Sequence, residues 1–598
     1  MEVGNFTGFP SSSSDSKSPT PNSQSRTPVF MPHRKTPLRI LALAAATGAC
    51  GGGTPITPPP PPPPPGTPSV VCASKPVTQL NTGQHVIIDP NSTSGCLRIP
   101  AAGASGAQYL LVVASTTGAR SSSGIQGSYV LRASTPASAS AEASAAAQAV
   151  IPPRQSAAAE FDAMLREREA ELATRRAIPA SPPTGDVVAA PPVVGEIKSF
   201  KTCSNLQCSA FTTVMATARF VGQHVAVFID NDVPQNDPLQ PADAAELGIA
   251  FDTYHYPIDT TAFGRESDLD QNGVVIVLMT DAVNALTPDC TNGRVVGYFF
   301  GGDLLTGPNS NNGEVFYTLV PAPSAGSCTT ITRSQAVNNL KPTLIHEFQH
   351  MISFNQHVLV RNGNSEETWL NEGLSHFAEE LGGRLIPNSE CTPAFTSCRS
   401  QYTSGDILNA YDYMKDTESR FLVFPTSSGG TLEERGAGWL FVRWIADQFA
   451  ADTILGTDLT RALVRTQLVG AANIQSVTGA SLATQIPQWL MALYLDDGPD
   501  LPEEPTGRLR YKSWGLRAIW TNPLNQAPNG PFNGFPLVPL VIAGSFSHSG
   551  TLRGGSGRHF VVIQQANGLA IDMLAVRTAA NDLIDALLQP RLGVVRIR

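Results

Sequence analysis

The sequence predicts a multidomain α+β protein, and three observations support this class. The chain has 598 residues, which is more than a single hydrophobic core usually serves. In the segment 195–505, strand-like runs come first and long amphipathic helices follow, as in α+β domains. Short apolar runs separated by Gly, Ser and Asn occupy 70–134 and 506–598. They predict a small all-β module on each side of the central domain.

Composition narrows the classes of partner. Charged residues make up 15% of the chain, and the formal net charge is -9. Because no basic block occurs beyond the extreme N-terminus, we expect no nucleic-acid partner. Apolar residues make up 41%, yet no run long enough to span a bilayer occurs beyond the N-terminal segment. We therefore expect the body of the chain to be water soluble.

The N-terminal region predicts export. Residues 31–49 combine a short cationic stretch with an apolar run that ends in small residues, the pattern of a signal peptide. Residues 1–30, rich in Ser, Pro and Thr, precede this complete signal. They are predicted to be disordered or to come from an over-called start codon.

The signal ends at "ATGAC", which resembles a bacterial lipobox with Cys50 as the lipidated residue. Thr47 stands where a lipobox usually has leucine, so a plain secretory signal is the alternative. Residues 50–69 follow as a spacer whose eight consecutive prolines would span about 25 Å. By analogy with Gram-negative lipoproteins, Gly51 predicts an outer-membrane location, with the lipid as the membrane anchor. Secretion is the alternative.

The remaining eight cysteines fall into pairs that are adjacent in sequence. In an exported protein this even count predicts disulfides, with buried thiols or a second metal site as the alternative. No CxxC occurs, which disfavours a cysteine zinc site. The predicted pairs are Cys72 with Cys96, Cys203 with Cys208, Cys290 with Cys328, and Cys391 with Cys398.

Residues 135–194 are predicted to form a linker that contains one polar helix. The helix covers 156–176, "SAAAEFDAMLREREAELATRR", between an Ala/Ser-rich stretch and a Pro-rich stretch. A stalk, a docking helix or a cleavable pro-segment would each fit this pattern.

The stretch "LIHEFQHMISF", residues 344–354, contains an HExxH motif. A helix repeats every 3.6 residues, so His346 and His350 project the same way and can share one tetrahedral metal ion. Glu347 lies beside them, where its carboxylate can take a proton from a water molecule that the metal activates. Such a site needs a third ligand.

The third ligand is not supplied in the way metzincins supply it. That class requires Gly and His where this chain has Ser353 and Gln356, and His357 is one residue out of register. The stretch "EETWLNEGLSHFAEEL", 366–381, is a better source. Its helical periodicity places one apolar and one polar stripe on opposite faces. The apolar stripe is Leu370, Leu374, Phe377 and Leu381, and the polar stripe is Glu372, His376 and Glu379.

"LIHEFQHMI" followed by "WLNEGLSHFAEEL" resembles the gluzincin metallopeptidases, in particular the hyicolysin family. The likeness extends over the segment 195–515. It implies a gluzincin-like zinc metallopeptidase domain with a strand-rich N-terminal part and a helical active-site part. It also implies one catalytic Zn²⁺ held by the two histidines and Glu372, with Glu347 as general base.

The same resemblance implies roles for residues around the metal. Gluzincins usually stabilise the oxyanion with a Tyr or His, and Tyr411, Tyr413 and Arg435 are the candidates here, each with a surface or packing role as its alternative. Glu379 is expected to orient a histidine ligand. His376 is expected to face the substrate or to be a plain polar neighbour.

A second candidate metal site is "DLDQNG", which contains Asp268, Asp270, Asn272 and Gly273. It matches the first half of a calcium loop, so Ca²⁺ is a candidate cofactor. The twelfth position is Met279 instead of glutamate, which excludes a full EF-hand. An Asx-rich turn before a strand is the alternative.

We therefore expect a secreted or surface-anchored zinc endopeptidase that acts on proteins or peptides. One alternative is a non-catalytic surface binding protein or adhesin on a degenerate peptidase scaffold. Against it, the base and all three candidate ligands are present. A purely structural zinc site is a further alternative, but such sites usually close with four protein ligands and need no adjacent base.

Overall fold

The structure is a computed structural model, and it describes most of the chain beyond the predicted spacer. The predicted segments 1–30, 31–49 and 50–69 lie outside the described residues. No helix among the described residues has the length and apolar character needed to cross a bilayer. The described residues are 72, 74–134, 143–144, 156–175, 190–291, 293–391, 395–498, 507–520, 532, 534–578 and 580–598.

The central domain begins with a mixed six-stranded sheet in the order β10-β11-β9-β8-β7-β6. Neighbours β8/β9 and β9/β11 run parallel, and the other pairs are antiparallel. The strands are β6 Ile197–Cys203, β7 Phe211–Val221, β8 Val225–Asp230, β9 Val275–Met279, β10 Gly297–Phe299 and β11 Val315–Thr318. Strands β8 and β9 are buried at every position, which explains their continuous apolar sequences "VAVFID" and "VIVLM".

Four long helices follow the sheet. They are α5 Arg333–Phe354, α6 Thr368–Leu385, α7 Cys398–Lys415 and α8 Leu432–Phe449. Helix α5 begins with a capping box between Thr332 and Gln335, and α8 begins with one between Thr431 and Glu434. Helix α6 packs against α5, α7 and α8, so its polar stripe is enclosed by the other three helices.

The remaining helices surround this group. Helix α1 matches the polar helix predicted at 156–176. The bounds are α1 Ala157–Arg175, α2 Pro241–Ala250, α3 Tyr256–Ala262, α4 Asp281–Ala285, α9 Thr457–Val464, α10 Gly470–Thr478, α11 Leu482–Leu495 and α12 Leu516–Ile519.

The two flanking β segments are not separate modules. Strands from both ends of the chain pair in two shared five-stranded sheets, with the orders β1-β16-β3-β14-β12 and β2-β15-β4-β13-β5. The strands are β1 His85–Ile88, β2 Cys96–Ile99, β3 Ala107–Ser115, β4 Gln126–Ser134, β5 Ala143–Ser144, β12 Leu540–Ile542, β13 Phe546–Arg553, β14 Gly557–Gln564, β15 Ile571–Val576 and β16 Pro590–Arg596. The expectation of one module at 70–134 and another at 506–598 is thus corrected to a single β-sandwich.

The physical reason for this pairing is burial. No two of the described strands β1–β5 pair with each other, so the N-terminal segment forms no sheet alone, and the two sheets face each other across one shared cluster. The cluster takes Leu111 and Leu131 from the N-terminal strands, and Phe560, Met573 and Val594 from the C-terminal strands.

The sandwich also packs on the helical part through α11. The ring Nε2 of His559 in β14 lies 2.7 Å from the backbone oxygen of Leu490. Residues 507–520 belong to the helical part as well, since Trp514 Nε1 donates to Glu380 Oε1 of α6 at 2.8 Å. The helical region therefore continues past the predicted boundary at 505.

All four predicted disulfides are present: Cys72–Cys96, Cys203–Cys208, Cys290–Cys328 and Cys391–Cys398. Their Cα atoms are 4.8 to 5.6 Å apart, within the range that a disulfide bridges.

Candidate metal centre

Helix α5 presents the two motif histidines side by side. The Nε2 atoms of His346 and His350 are 3.2 Å apart, and both side chains are buried. The opposite face of α5 packs into the main hydrophobic core through Leu344, Phe348 and Met351, as its periodicity predicts. The core thus fixes the helix rotation that turns both imidazoles toward α6.

Helix α6 brings Glu372 to the same point. Its carboxylate oxygens lie 3.6 Å from His346 Nε2 and 3.5 Å from His350 Nε2. The residue is fully buried, and neither oxygen has a hydrogen bond of acceptable geometry. The apolar stripe on the far side of α6, which includes Leu370, Leu374 and Phe377, is fully buried in the core.

These three side chains fit a zinc ion. Tetrahedral zinc with bonds near 2.0–2.1 Å separates neighbouring ligand atoms by about 3.3 Å. The observed separations of 3.2, 3.5 and 3.6 Å match that spacing. The donor set is two imidazoles and one carboxylate, as in catalytic zinc sites with three protein ligands.

Glu347 lies beside the cluster with one oxygen anchored. The backbone N–H of Phe299, at the end of β10, donates to Glu347 Oε2 at 2.9 Å. Burial is the main cause that raises the pKa of Glu347, to about 8, and the adjacent His346 opposes the rise. The carboxylate is thus held in one orientation by the sheet.

The predicted partner of a histidine ligand is found where expected. Glu379 Oε1 lies 2.7 Å from His346 Nδ1, so it can fix the ring with Nε2 toward the metal position. The same oxygen is 3.0 Å from His376 Nδ1, which also lies 2.8 Å from Asp406 Oδ1. Burial lowers the pKa of His376, but Asp406 and Glu379 outweigh it and raise the pKa to about 9. His376 therefore belongs to a buried charge network.

The three oxyanion candidates occupy different places. Arg435 Nη1 is 2.9 Å from Glu372 Oε2, directly at the cluster. Tyr413 is fully buried with its ring stacked on Trp489, at 5.9 Å between centroids. Tyr411 packs on Phe532 with ring centroids 4.7 Å apart. The structure therefore places the two tyrosines in aromatic packing and brings only Arg435 to the candidate ligand.

Sequence reasoning missed the contribution of α1 to this site. Asp162 Oδ2 is 3.1 Å from Arg435 Nη1, and Arg166 Nη2 donates to the backbone oxygen of Phe299 at 2.7 Å. Glu169 pairs with Arg166 at 2.8 Å and accepts a hydrogen bond from the Gly301 N–H at 2.7 Å. The spacing of Phe161 and Leu165, four residues apart, was the available signal that one face of this polar helix is buried.

The predicted calcium loop has an acidic neighbour from a distant segment. Asp268 and Asp270 do lie together, and Glu314 joins them with ligand atoms within 4.8 Å of one another. Asn272 instead caps its own turn, since its Oδ1 accepts from the Val274 N–H at 2.7 Å. Sequence reasoning missed Glu314 because it follows the loop by more than forty residues.

The class of protein that the His-His-Glu cluster indicates is a metallopeptidase, and a sequence comparison agrees. Over 190 residues the chain is 28% identical to the neutral metalloprotease ShpI of Staphylococcus hyicus. The aligned part covers 31% of this chain and 40% of ShpI, so less than half of that relative is matched. The match supports the metallopeptidase prediction.

A solved structure of an M1 zinc metallopeptidase from Deinococcus radiodurans, bound to a Tyr-Ser-Ala substrate, is a distant neighbour. It shares 12% identity and a TM-score of 0.26, over 49% of this chain and 51% of that one. No family model matches the sequence.

Proposed function

We propose that this protein is a zinc-dependent endopeptidase of the gluzincin type, acting on proteins or peptides. The observation that carries the proposal is the spacing of His346, His350 and Glu372, which suits tetrahedral zinc, together with Glu347 next to them. Three protein ligands leave one metal position for water or substrate, whereas a structural site would usually fill it with a fourth ligand. The likeness to ShpI adds support.

When bound, zinc supplies Lewis-acid activation of a water molecule and of the peptide carbonyl. Glu347 then acts as the general base, accepting the water proton at its carboxylate and delivering it to the leaving amine. The Phe299 N–H orients this carboxylate through Oε2. Glu379 orients His346, and Arg435 is a positioning residue that holds Glu372 by an ion pair.

The alternative function is a surface binding protein or adhesin on a peptidase scaffold. The β-sandwich could carry such a function without any catalysis. The two functions differ in what the protein does to a bound peptide, so peptide cleavage separates them.

The experiment compares the full chain with Glu347→Gln, each purified under oxidising conditions with zinc. A diverse peptide library is digested and read by mass spectrometry, and bound zinc is quantified by elemental analysis. We expect one zinc per chain in both proteins and cleavage at least 100-fold slower in the variant. Exposed Glu390→Gln is the matched control and should cleave like the unmodified chain.

Two outcomes would overturn the proposal. Equal cleavage by the unmodified chain and Glu347→Gln would mean that this site does not perform the hydrolysis. Binding of zinc without cleavage, even after helix α1 is displaced as described below, would favour the binding-protein alternative.

We also propose that the protein is exported and anchored to a bacterial membrane through a lipid on Cys50. The lipobox-like sequence supports this, and four disulfides suit an oxidising compartment. Mass spectrometry of the N-terminal peptide should show an acylated Cys50, and Cys50→Ala should move the protein from the membrane fraction to the soluble fraction. An unmodified Cys50 in a soluble protein would indicate a plain secretory signal.

A further inference from the structure

We infer that Asp268, Asp270 and Glu314 form a second cation site, apart from the histidine cluster, that takes a hard divalent cation of the calcium class. Their carboxylates each place one oxygen within 4.8 Å of the others. The three residues come from two segments that are distant in sequence. An oxygen-only set without His or Cys favours calcium over zinc.

The sheet explains why these segments meet. The loop with Asp268 and Asp270 leads into β9, and Glu314 immediately precedes β11. Because β9 and β11 are parallel neighbours, their first residues lie at the same edge of the sheet. The Ile276 N–H donates to the backbone oxygen of Glu314 at 2.7 Å. A Cβ atom on Gly313 would meet Asp270 Oδ2 at 3.3 Å, which shows how closely the two segments approach.

Glu314 differs from an ordinary surface carboxylate because it is buried. Its side chain is only 2% exposed. Oε1 accepts hydrogen bonds from Ser267 Oγ at 2.5 Å and from the Leu269 N–H at 3.1 Å, but Oε2 is buried without a hydrogen-bond partner. Leaving a buried carboxylate oxygen unpaired costs free energy, and burial raises the pKa of Glu314 to about 7. A cation between the three carboxylates would remove that cost.

Among the described residues, the neighbouring lysine does not neutralise this cluster. Lys198 Nζ lies 3.9 Å from Asp270 Oδ2, which is beyond hydrogen-bond distance, and its side chain is 40% exposed. The other two carboxylates add negative charge beside Glu314, since Asp268 and Asp270 face the same space. The cluster therefore attracts an external cation.

The ligand set differs from that of an EF-hand. Asn272 is committed to the turn, and Met279, at the twelfth loop position, is buried at the end of β9. Glu314 reaches the site from β11 in place of a glutamate at the loop end. Calcium takes six to eight oxygen ligands, so backbone carbonyls and water would complete its coordination.

The test is isothermal titration of the full chain, zinc-loaded and calcium-free, with CaCl₂ and separately with MgCl₂. We expect one saturable calcium site with a Kd between about 10⁻⁶ and 10⁻³ M and weaker binding of magnesium. Glu314→Gln should weaken calcium binding at least tenfold, and so should Asp268→Asn, a loop variant that serves if Glu314→Gln does not fold. Exposed Asp232→Asn is the matched control and should bind calcium normally.

Three results would overturn the inference. They are absence of saturable binding to the folded chain, unchanged calcium affinity in both variants, or binding of magnesium as tight as that of calcium.

A second inference concerns the position of helix α1 and rests on the proposed peptidase function. We propose that helix α1 occludes the substrate cleft, so that the folded chain is largely latent. Ala158 and Asp162 of α1 line a cavity of about 180 Å³ together with His346, Glu347 and Glu379. This volume is below the 300–1,000 Å³ of ordinary ligand pockets and leaves little room for a peptide.

The contacts that hold α1 in place involve both its apolar and its charged side chains. Phe161 and Leu165 pack in the core beside the six-stranded sheet. Asp162, Arg166 and Glu169 are buried and paired with Arg435, with the Phe299 carbonyl and with the Gly301 N–H. A charge placed in the apolar contact should release the helix, because an unpaired buried carboxylate is costly.

Leu165→Asp should therefore raise the rate of peptide cleavage at least tenfold, and a synthetic peptide of residues 157–175 should inhibit the released enzyme. Exposed Glu167→Ala on the same helix is the control and should leave the rate unchanged. Circular dichroism and zinc content verify that the variants are folded and loaded. If Leu165→Asp cleaves no faster than an active unmodified chain, occlusion is wrong and the peptidase proposal stands. If a folded, zinc-loaded Leu165→Asp cleaves nothing, the peptidase proposal itself is wrong.

Discussion

The histidine cluster and the acidic cluster each bring three ligand side chains within 4.8 Å, yet they differ in burial, in donor atoms and in the elements that carry them. The first is fully buried between two helices and combines nitrogen with oxygen donors. The second lies at the edge of a sheet, is partly exposed and offers only oxygens. The comparison teaches that helix periodicity places ligands from a short stretch of sequence, whereas parallel strand pairing places ligands from remote ones.

The largest effect is expected from a variant that alters only the histidine cluster. His350→Ala removes a ligand from the buried site, so zinc should be lost and peptide cleavage should fall by several orders of magnitude. Calcium binding should be unchanged, because the acidic cluster shares no residue with α5. Zinc content, cleavage rate and calorimetry give the three readings. A coupled loss of both metals would mean that the clusters are not independent.

A smaller effect is expected beside the histidine cluster. Glu379→Gln keeps the side-chain shape but weakens the hold on His346 Nδ1, so zinc affinity should fall about 10- to 100-fold. Competition with a zinc chelator measures this. Glu390→Gln, on the exposed surface, is the control. Unchanged zinc affinity would mean that Glu379 does not help to hold His346 in place.

Glu314 of the acidic cluster should make the free energy of unfolding depend on pH. The pKa of Glu314 is about 7 in the folded chain because of burial, above its ordinary value of 4.5. Its stabilising contribution is therefore complete below pH 4.5 and is lost as the pH rises through 7. In calcium-free buffer this loss amounts to as much as about 3 kcal/mol.

Urea unfolding at several pH values measures this dependence. Glu314→Gln should remove that part of the fall in stability, and calcium should remove it in the unmodified chain. Asp268, Asp270 and Lys198 face the same space and remain present in both proteins. Parallel stability curves for the variant and the unmodified chain would contradict the prediction.

The smallest effect concerns Asn272, which the sequence offered as a calcium ligand. Asn272→Ala removes a turn hydrogen bond to Val274 and should lower the free energy of unfolding by about 1 kcal/mol. Asn272 contacts the cluster only as a donor, through Nδ2 to Asp270 Oδ2 at 2.8 Å, and its oxygen is used by the Val274 N–H, so calcium affinity should change less than threefold. A tenfold weaker affinity would restore Asn272 as a ligand and revise the proposed site.

Much of the helical site could be predicted from the sequence. His346, Glu347, His350 and Glu372 lie together as the motif and the polar stripe of α6 indicate. The pairs of cysteines were also correct, because each pair is adjacent in sequence. These features depend on short separations along the chain, which can be read directly from the sequence.

The features that were missed depend on contacts between distant segments. Helix α1 was expected in a linker, yet three of its charged residues, Asp162, Arg166 and Glu169, are buried beside the histidine cluster. The two expected β modules are one sandwich, since strands more than 440 residues apart in sequence pair and bury the same core, as Ala114 and Gly557 illustrate. Tyr411 and Tyr413, which the family pattern offered as oxyanion-stabilising candidates, pack against other aromatic rings.

By itself the sequence determined the elements and the chemistry they carry: strands by alternation and burial, helices by caps and periodic stripes, and a metal motif by its four-residue spacing. Only the tertiary structure decided which of these elements meet. Glu314 reaches Asp268 and Asp270 because β11 pairs with β9, and Asp162 reaches Arg435 because α1 buries Phe161 and Leu165. The reason is physical: local periodicity is set by backbone geometry, whereas long-range pairing is set by the apolar surface that the whole chain must bury.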